Sequence, residues 1–274
     1  MSKQNFKPLQ ATLTVSRKAY ITPHYIRIYL TGESVPAFSN TTIGVNNKIL
    51  IPPAGVDMIY FPEFDYDKKQ WKPQPDEVRP IVRTYTHRGI NLQKKEIYID
   101  FVAHGDEGPA SSWAINAQKG DLLGVLMKDG KSELYGKATD YLLVGDATAI
   151  PVLGAILEDL PETAKGICII EVHSKEDEQQ LSTKADIKFI WLYNSSPQLG
   201  SNIAAVVKQQ SLPEHSRSGY VAAEFSSVKE IRHYLRKEKG WKQEELYAYS
   251  YWKSGVAEDK SATERHEENE AQKS

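Results

Sequence analysis

The sequence predicts two domains, an antiparallel β-barrel followed by an α/β domain with a parallel sheet. Up to Met127, short patterns of alternating apolar and polar residues recur, with one short helix pattern among them. From about Lys137, strand and helix patterns alternate, which is typical of a parallel sheet with helices on both faces. The polar segment 129–136 separates the two patterns. We therefore assign residues 1–132 to the first domain, 137–255 to the second and 256–274 to a tail.

The elements of the first domain follow from period-two alternation and from their breakers. Strands are expected at Leu9–Val15, Tyr25–Leu30, Asn46–Ile51, Val82–Arg88, Ile97–Val102 and Asp121–Met127. The stretch Asp57–Glu77, rich in Pro, Asp, Lys and aromatic residues, predicts a long surface loop. A short helix is expected from about Ser112 to Ala117, capped by Ser111 and stopped by Gly120.

The second domain begins with the strand Tyr141–Gly145 and a helix at Ala149–Leu160. Further strands are predicted at Gly166–Val172, Ile187–Leu192, Tyr220–Ala223 and Leu246–Tyr251, and further helices at Asn202–Gln210 and Ser227–Glu238. Gly240 suits the end of the last helix. The tail from Glu258 carries mainly acidic charge and no large apolar side chain, so we expect a solvated tail.

Composition excludes several classes of protein. A net charge of −2 over 274 residues does not indicate a general nucleic-acid binder. No apolar run approaches the ~20 residues needed to cross a bilayer, and the N-terminus lacks the apolar core of a signal peptide, so a cytoplasmic protein is expected. The single cysteine, Cys168, excludes an internal disulfide and a thiolate-held iron–sulfur cluster. Its apolar neighbours predict a buried strand residue.

The stretch Val82–Arg88 carries a candidate binding site. In a strand, Arg83, Tyr85 and His87 share one face, which places a cation beside a flat aromatic ring. Such a face suits a ligand with a phosphate and a flat ring system, such as a flavin. An amphipathic strand with a solvated face explains the same pattern.

A helix start lies shortly after the next strand. Gly105, Gly108 and Pro109 break that strand, and the helix begins close to Ser111. The free N–H groups of a helix start form a natural pyrophosphate site. An Arg–aromatic strand followed by this helix start has about the separation that a dinucleotide requires.

These motifs carry a resemblance to a known family. Arg83-x-Tyr85-Thr86-x-Arg88, followed by Asp100-Phe101-Val102-x-His104-Gly105-x-x-Gly108-Pro109-Ala110-Ser111-x-Trp113-Ala114, resembles the siderophore-interacting proteins. The resemblance continues in Gly145–Pro151, in Glu224 and in Tyr251-Trp252-Lys253-x-Gly255. The family consists of FAD-dependent ferric-siderophore reductases related to ferredoxin reductases, and its FAD domain is a Greek-key barrel.

The resemblance implies roles for individual residues. The residues expected to bind FAD are Arg83, Thr84, Tyr85, Thr86, Asp100, Val102, His104, Gly108, Ala110, Ser111 and Trp252. Those expected to bind the nicotinamide nucleotide are Asp146, Thr148, Ala149, Glu171 and Glu224. The lysines expected to attract an anionic ferric siderophore are Lys48, Lys128 and Lys253. Simpler roles stay open: a turn cap for His104, core packing for an aromatic residue near Trp252, and a solvated surface for each lysine.

The implied reaction passes electrons from NADH or NADPH through FAD to siderophore-bound Fe(III). Glu171 favours NADH, because an acid at a strand end can hold a ribose 2′-hydroxyl, whereas nearby Lys175 argues for NADPH. A reduced ferredoxin could replace the nucleotide as donor. No catalytic acid or base and no metal site are expected, and we expect a monomer. A flavin reductase with another acceptor and a non-catalytic siderophore-binding protein are the alternatives.

Overall fold

The computed structural model describes residues 8–65, 67–105 and 108–256. The chain divides into two compact units, Met1–Ser132 and Glu133–Ser274. Within the described ranges, no helix combines the length and the hydropathy needed to span a membrane. Most of the predicted tail lies outside the described residues.

The first unit is built on one seven-stranded antiparallel sheet. Its strands are β1 Leu9–Thr22, β2 Tyr25–Thr31, β3 Asn46–Ile51, β6 Ile81–Thr86, β7 Gly89–Asn91, β8 Glu96–Val102 and β9 Leu122–Met127, in the order β6-β3-β9-β1-β2-β8-β7. The sheet curls into a half-barrel, so that β6 approaches β8 across the interior. The antiparallel barrel-type architecture predicted for this half is confirmed.

The interior of the half-barrel holds the apolar members of each alternating strand. Leu13, Ile28, Ile99, Phe101 and Val125 are almost completely buried, and the helix α1, Pro109–Asn116, packs against them. A period-two pattern places every second side chain on one face, which explains why the alternation predicted these strands correctly.

Two local predictions in the first unit were wrong. The region 57–77 is not only a surface loop, since it holds the hairpin β4 Phe64–Asp65 and β5 Gln70–Trp71 and buries Ile59. The helix α1 spans Pro109–Asn116 with Gly108 as its N-cap, so Ser111 lies inside the first turn and does not cap it. Proline is favoured at the first helical position, where its missing N–H has no intrahelical partner to lose.

The second unit contains a five-stranded parallel sheet with helices on both faces, as predicted. Its strands are β10 Asp140–Asp146, β11 Lys165–Val172, β12 Asp186–Tyr193, β13 Arg217–Glu224 and β14 Leu246–Trp252, in the order β12-β11-β10-β13-β14. Its helices are α2 Ile150–Asp159, α3 Ile203–Lys208 and α4 Phe225–His233, which continues as a π-helical turn, Tyr234–Glu238. Cys168 is fully buried in β11, and burial raises the pKa of its thiol.

The carboxyl ends of three adjacent strands meet at one edge of the parallel sheet. Asp146 ends β10 and pairs in register with Glu171 of β11, while Glu224 ends β13. Gly145 allows the turn after β10 to pack closely against the end of that strand, because a Cβ at position 145 would lie 2.5 Å from Ala149 Cβ. Ligands of open α/β sheets bind at such an edge.

Candidate functional site

The first part of the candidate site is the strand β6. In register, Arg83 lies opposite Ile49 and Tyr85 opposite Asn47, so both side chains are on the interior face of the half-barrel. The half-buried Tyr85 ring packs on Phe101 with the ring centroids 4.5 Å apart. The half-buried Arg83 guanidinium donates to the carbonyl of Val82 at 2.8 Å. The strand therefore presents the predicted pairing of a cation with an aromatic ring.

The second part is the start of α1. The Phe101 ring lies between this helix and β6. Trp113 of α1 contacts Phe101 at 5.7 Å between ring centroids. Gly108, as the N-cap of α1, has no side chain that could cap the helix. Ser111 Oγ accepts from the His104 N–H at 3.1 Å and donates to the Gly105 carbonyl at 2.8 Å, which fixes the loop before the helix.

These features fit FAD. The uncapped helix start offers the backbone N–H groups of Ala110 and Ser111 to a phosphate. Arg83 adds a fixed cation, and the Tyr85 ring adds a flat apolar surface. The exposed His104 ring lies over Gly108, where a Cβ would be 2.6 Å from His104 Cε1, so this ring must shift if a ligand reaches the helix start from that side.

The predicted flavin ligand Asp100 is already held by the protein. Its carboxylate accepts two bonds from Arg27, at 2.7 and 2.8 Å, and one from the Tyr25 hydroxyl at 3.2 Å. Arg88 lies 3.9 Å away. Asp100 and the neighbouring Val102 alternate with the buried Phe101, so both face away from the interior where Tyr85 lies.

The threonines of the motif occupy different environments. Thr84 accepts a hydrogen bond from the Lys48 ammonium group on the adjacent strand, whereas Thr86 is buried. Lys48 pairs with Thr84 of β6 and with Leu126 of β9, so its exposed side chain lies on the face of the sheet opposite the Tyr85 ring. Lys128 is exposed and follows β9 directly. In the second unit, Lys253 Nζ lies 4.8 Å from the centre of the Phe225 ring.

At the edge of the parallel sheet, Asp146 is the centre of a hydrogen-bond network. Its Oδ1 accepts from the backbone N–H and the hydroxyl of Thr148, and its Oδ2 accepts from the Glu224 N–H and the Trp252 indole. Burial raises the pKa of Asp146, and the bonds from Thr148 and Trp252 oppose that effect. Ala149, at the end of the following turn, is fully buried.

The other two acidic residues have distinct partners. Glu171 accepts from Ser201 Oγ at 2.6 Å and from Asn194 Nδ2 at 3.1 Å. Burial and the charge of Asp146 raise the pKa of Glu171. Glu224 caps α4 by accepting from the Ser226 and Ser227 N–H groups, which satisfies two orphan donors of that helix. Lys175 is exposed beyond β11.

Sequence reasoning did not find the partners of these groups. Arg27 and Tyr25 hold Asp100 across two strands, and Asn194 and Ser201 hold Glu171. The alternation of β2 places Tyr25 and Arg27 on the face opposite Ile26 and Ile28, which is a weak signal. Their link to Asp100 depends on the register between β2 and β8.

The two sheets and the groups that they carry define a class of protein. A half-barrel with an Arg–Tyr strand, followed by a parallel sheet with polar groups at its carboxyl edge, has the two-domain fold of ferredoxin reductases. A ferredoxin NADP⁺ reductase from Neisseria gonorrhoeae shares this fold at a TM-score of 0.57 and 14% identity, over 88% of this chain and 98% of that one.

The chain belongs to the siderophore-interacting protein family. Residues 14–131 match the siderophore-interacting FAD-binding domain, and residues 138–255 match the siderophore-interacting protein domain. The chain is 33% identical to the ferric vibriobactin reductase ViuB of Vibrio cholerae over 97% of both proteins. It is 30% identical to the siderophore-interacting protein SipS of Aeromonas hydrophila, with a TM-score of 0.81 over 96% of this chain and 99% of that one. A siderophore utilization protein from T. fusca is 25% identical, also at a TM-score of 0.81, over 92% and 96% of the two chains.

Proposed function

We propose that the protein is an FAD-dependent ferric-siderophore reductase that takes electrons from NADH or NADPH. The observation that carries the proposal is the junction at Phe101, where the Tyr85 ring and the helix α1 flank one side chain. It places an aromatic surface, a cation and an uncapped helix start in one unit. The full-length relationship to a ferric vibriobactin reductase supports the choice of acceptor.

Each group of the first unit has a proposed task. The Arg83 guanidinium pairs with the pyrophosphate in geometry and in charge. The backbone N–H groups of Ala110 and Ser111 donate to the same phosphates. The Tyr85 ring covers the flat ring system, and Thr86 hydrogen-bonds near it. When bound, FAD supplies the chemistry that converts a two-electron donor into single-electron steps.

The acceptor is recognised by charge. Ferric siderophores of the catecholate class are bulky and anionic, and Lys48 and Lys128 are both exposed on the first unit. We propose Lys253 as a further positively charged residue for the acceptor, and it lies in the second unit. Fe(II) is a poorer match than Fe(III) for hard oxygen ligands, so reduction releases the metal without a protein acid or base.

The donor is proposed to bind at the carboxyl edge of the parallel sheet, beside Asp146, Thr148, Glu171 and Glu224. This edge is the general ligand position of open α/β sheets. Nicotinamide nucleotides are metabolites of the cytoplasm, so we place the reaction there. A reduced ferredoxin is a second candidate donor, and we propose that the protein acts as a monomer.

Anaerobic mixing tests this function. The FAD-loaded protein is mixed in turn with NADH, NADPH and a reduced ferredoxin, and the flavin absorbance is followed. Ferric vibriobactin or another ferric catecholate is then added, and Fe(II) is trapped by a coloured chelator. Bleaching by a nucleotide, with return of the flavin colour and formation of Fe(II), is the expected result. Reduced flavin that is reoxidised by free flavin or ferredoxin but not by any ferric siderophore contradicts the proposed acceptor.

Replacement of Arg83 tests the flavin site separately. We expect Arg83→Ala to lower the FAD content of the purified protein at least tenfold, because a charge-assisted bond to phosphate is lost. Arg79→Ala is the matched control, because Arg79 pairs with Asp76 in the exposed loop. Unchanged flavin content in Arg83→Ala contradicts the assignment of this strand.

A further inference from the structure

Two neighbouring polar side chains inside the half-barrel lack partners within the protein. Asn47 is 2% exposed and His87 is 0% exposed. The amide nitrogen and oxygen of Asn47 and both ring nitrogens of His87 have no hydrogen-bond partner among the described residues. A buried polar atom that is left unpaired loses its bonds to water without compensation, so folded proteins rarely keep four such atoms in one place.

The register of β3 and β6 places the two side chains next to each other. Asn47 lies opposite Tyr85, and His87 follows Tyr85 by two positions. The His87 N–H donates to the Val45 carbonyl at 2.9 Å, which continues the antiparallel pairing beyond the end of β6. Asn47 and His87 are therefore diagonal neighbours on one face, about 7–8 Å apart, a spacing that a water molecule can bridge between the side chains.

The surroundings of the pair include a buried apolar side chain and a positive charge. Met127, the partner of Asn47 on β9, is buried. The Lys131 ammonium group donates to the carbonyl of the buried Thr41 at 3.0 Å. Its charge reaches the imidazole, because it adds to the effect of burial in lowering the pKa of His87. The imidazole is therefore neutral at pH 7, with one nitrogen as donor and the other as acceptor.

The balance of donors and acceptors defines the class of ligand. The pair offers donors in the Asn47 amide nitrogen and one imidazole nitrogen, and acceptors in the Asn47 amide oxygen and the other imidazole nitrogen. An anion would satisfy only the donors. A metal ion would satisfy only the acceptors and would lie near the positive charge of Lys131. Water both donates and accepts, so it can satisfy all four atoms.

We propose that Asn47 and His87 form a binding site for at least two internal water molecules, one of which bridges the two side chains. One water is too few, because the two nitrogens of an imidazole ring point away from each other. The site lies at the end of the strand that carries Tyr85 and Thr86, so the bound water fixes the end of the proposed flavin strand to β3.

A crystal structure of the full-length, FAD-loaded protein, at a resolution that shows ordered water, tests the site directly. The expected result is two density peaks at about 2.7–3.2 Å from the four polar atoms. A soak in sodium bromide detects an anion, because bromide gives an anomalous signal. An anomalous peak beside the pair, the absence of any density peak there, or direct bonds that satisfy the four atoms within the protein overturns the water site.

Replacement of Asn47 by Leu tests the site by the sign of its effect. Leu copies the branched shape of Asn without its polar atoms. If Asn47 were unpaired, this change would stabilise the protein. If water joins Asn47 to His87, the change expels that water and leaves one imidazole nitrogen unpaired, so we expect the folding equilibrium constant to fall about tenfold. Asn46→Leu is the matched control, because Asn46 is exposed at the adjacent position of β3, and it should stay within about twofold of the wild type.

A double-mutant cycle with His87→Leu shows whether the two side chains share water. Replacing both residues removes all four polar atoms, so the folding equilibrium constant of the double variant should be at least about fivefold higher than the two single effects predict. Urea unfolding is measured with a fixed excess of FAD and without FAD, so that a change in flavin affinity appears as a difference between the two series. Stabilisation by Asn47→Leu, or additive effects of the two replacements, overturns the bridge.

Discussion

The Arg27 guanidinium lies fork-on-fork against the Asp100 carboxylate, with Nε–Oδ1 at 2.7 Å and the second nitrogen–oxygen pair at 2.8 Å. The Asp100 side chain is 1% exposed and that of Arg27 is 19% exposed. Burial opposes the charged form of Arg27, but bonding to Asp100 and the charge of Asp100 raise the pKa of the guanidinium. The ion pair joins β2 to β8, and Arg88 of the flavin motif, just after β6, lies 3.9 Å from the same carboxylate.

Asp100→Asn should therefore lower the unfolding free energy of the protein even when no flavin is bound. Removing one partner of a buried pair leaves the other charge uncompensated, and we expect the flavin-free protein to lose about 3 kcal/mol of unfolding free energy. Urea unfolding measures the change.

A double-mutant cycle with Arg27→Gln gives the coupling between the two side chains. We expect the double variant to be more stable than the sum of the single effects predicts. A protein in which Asp100→Asn keeps full stability but loses FAD would instead indicate that Asp100 binds the cofactor directly.

His87 predicts a pH dependence of stability. The side chain is fully buried, and its two ring nitrogens have no hydrogen-bond partner among the described residues. Burial, with a smaller effect of the Lys131 charge, lowers the pKa of His87 from 6.5 to about 4. The unfolded chain therefore binds more protons between these values, and stability falls as the pH drops through this window.

We expect His87 to contribute a loss of about 2 kcal/mol between pH 7 and pH 5. Unfolding by urea at a series of pH values measures it, with His87→Gln as the non-titrating variant. Above pH 7, the difference in unfolding free energy between the wild type and His87→Gln should no longer change with pH. His104→Gln, at an exposed position, is the control and should keep the wild-type profile. Identical slopes for wild type and His87→Gln would show that His87 is not buried as a neutral group.

Local patterns predicted the fold, and long-range pairing explains what they did not predict. The alternation in Tyr25–Leu30 and the strand–turn–helix at Gly145–Pro151 are encoded within a few residues, so both were predictable. The bond between Asp100 and Arg27 joins residues 73 positions apart, and it exists only through the register of β2 with β8. No local pattern contains that register.

The candidate site shows the same division. The cation and the ring at Arg83 and Tyr85 follow from period-two spacing and lie on one face of β6 as expected. The helix begins three residues earlier than predicted, because Pro109 occupies the first helical position. The Ser111 hydroxyl donates to the Gly105 carbonyl and does not cap the helix. The contact of Trp252 with Asp146 joins two strand ends 106 residues apart, which the sequence could not reveal.

A larger side chain at position 124, on the outside of the half-barrel, is predicted to cause a steric clash. A Cβ at this position would lie 2.7 Å from Ile59 Cγ2 and 2.8 Å from Leu50 Cβ. Gly124→Ala should therefore push Ile59 off the sheet and lower the unfolding free energy by about 1–3 kcal/mol. The region 57–77, which contains Ile59, should become more sensitive to limited proteolysis. Gly136→Ala is the control, because its nearest neighbour would be Ser218 Oγ at 3.4 Å, and equal effects of both changes would rule out a specific clash.

The exposed lysines Lys48 and Lys128 of the first unit predict how the acceptor is recognised. Opposite charge raises the local concentration of an anionic ligand, and salt screens this effect. Replacing each lysine by Gln should lower kcat/KM for an anionic ferric catecholate about threefold, and replacing both on the order of tenfold, at low ionic strength. The effect should shrink at high salt and be absent for a cationic ferric hydroxamate. Lys188→Gln, at an exposed position in β12, provides the control for a general change of charge. The double variant and Lys188→Gln are both assayed with the anionic and the cationic acceptor. A loss of activity that is equal for the two acceptors would show that these lysines do not recognise the acceptor by its charge.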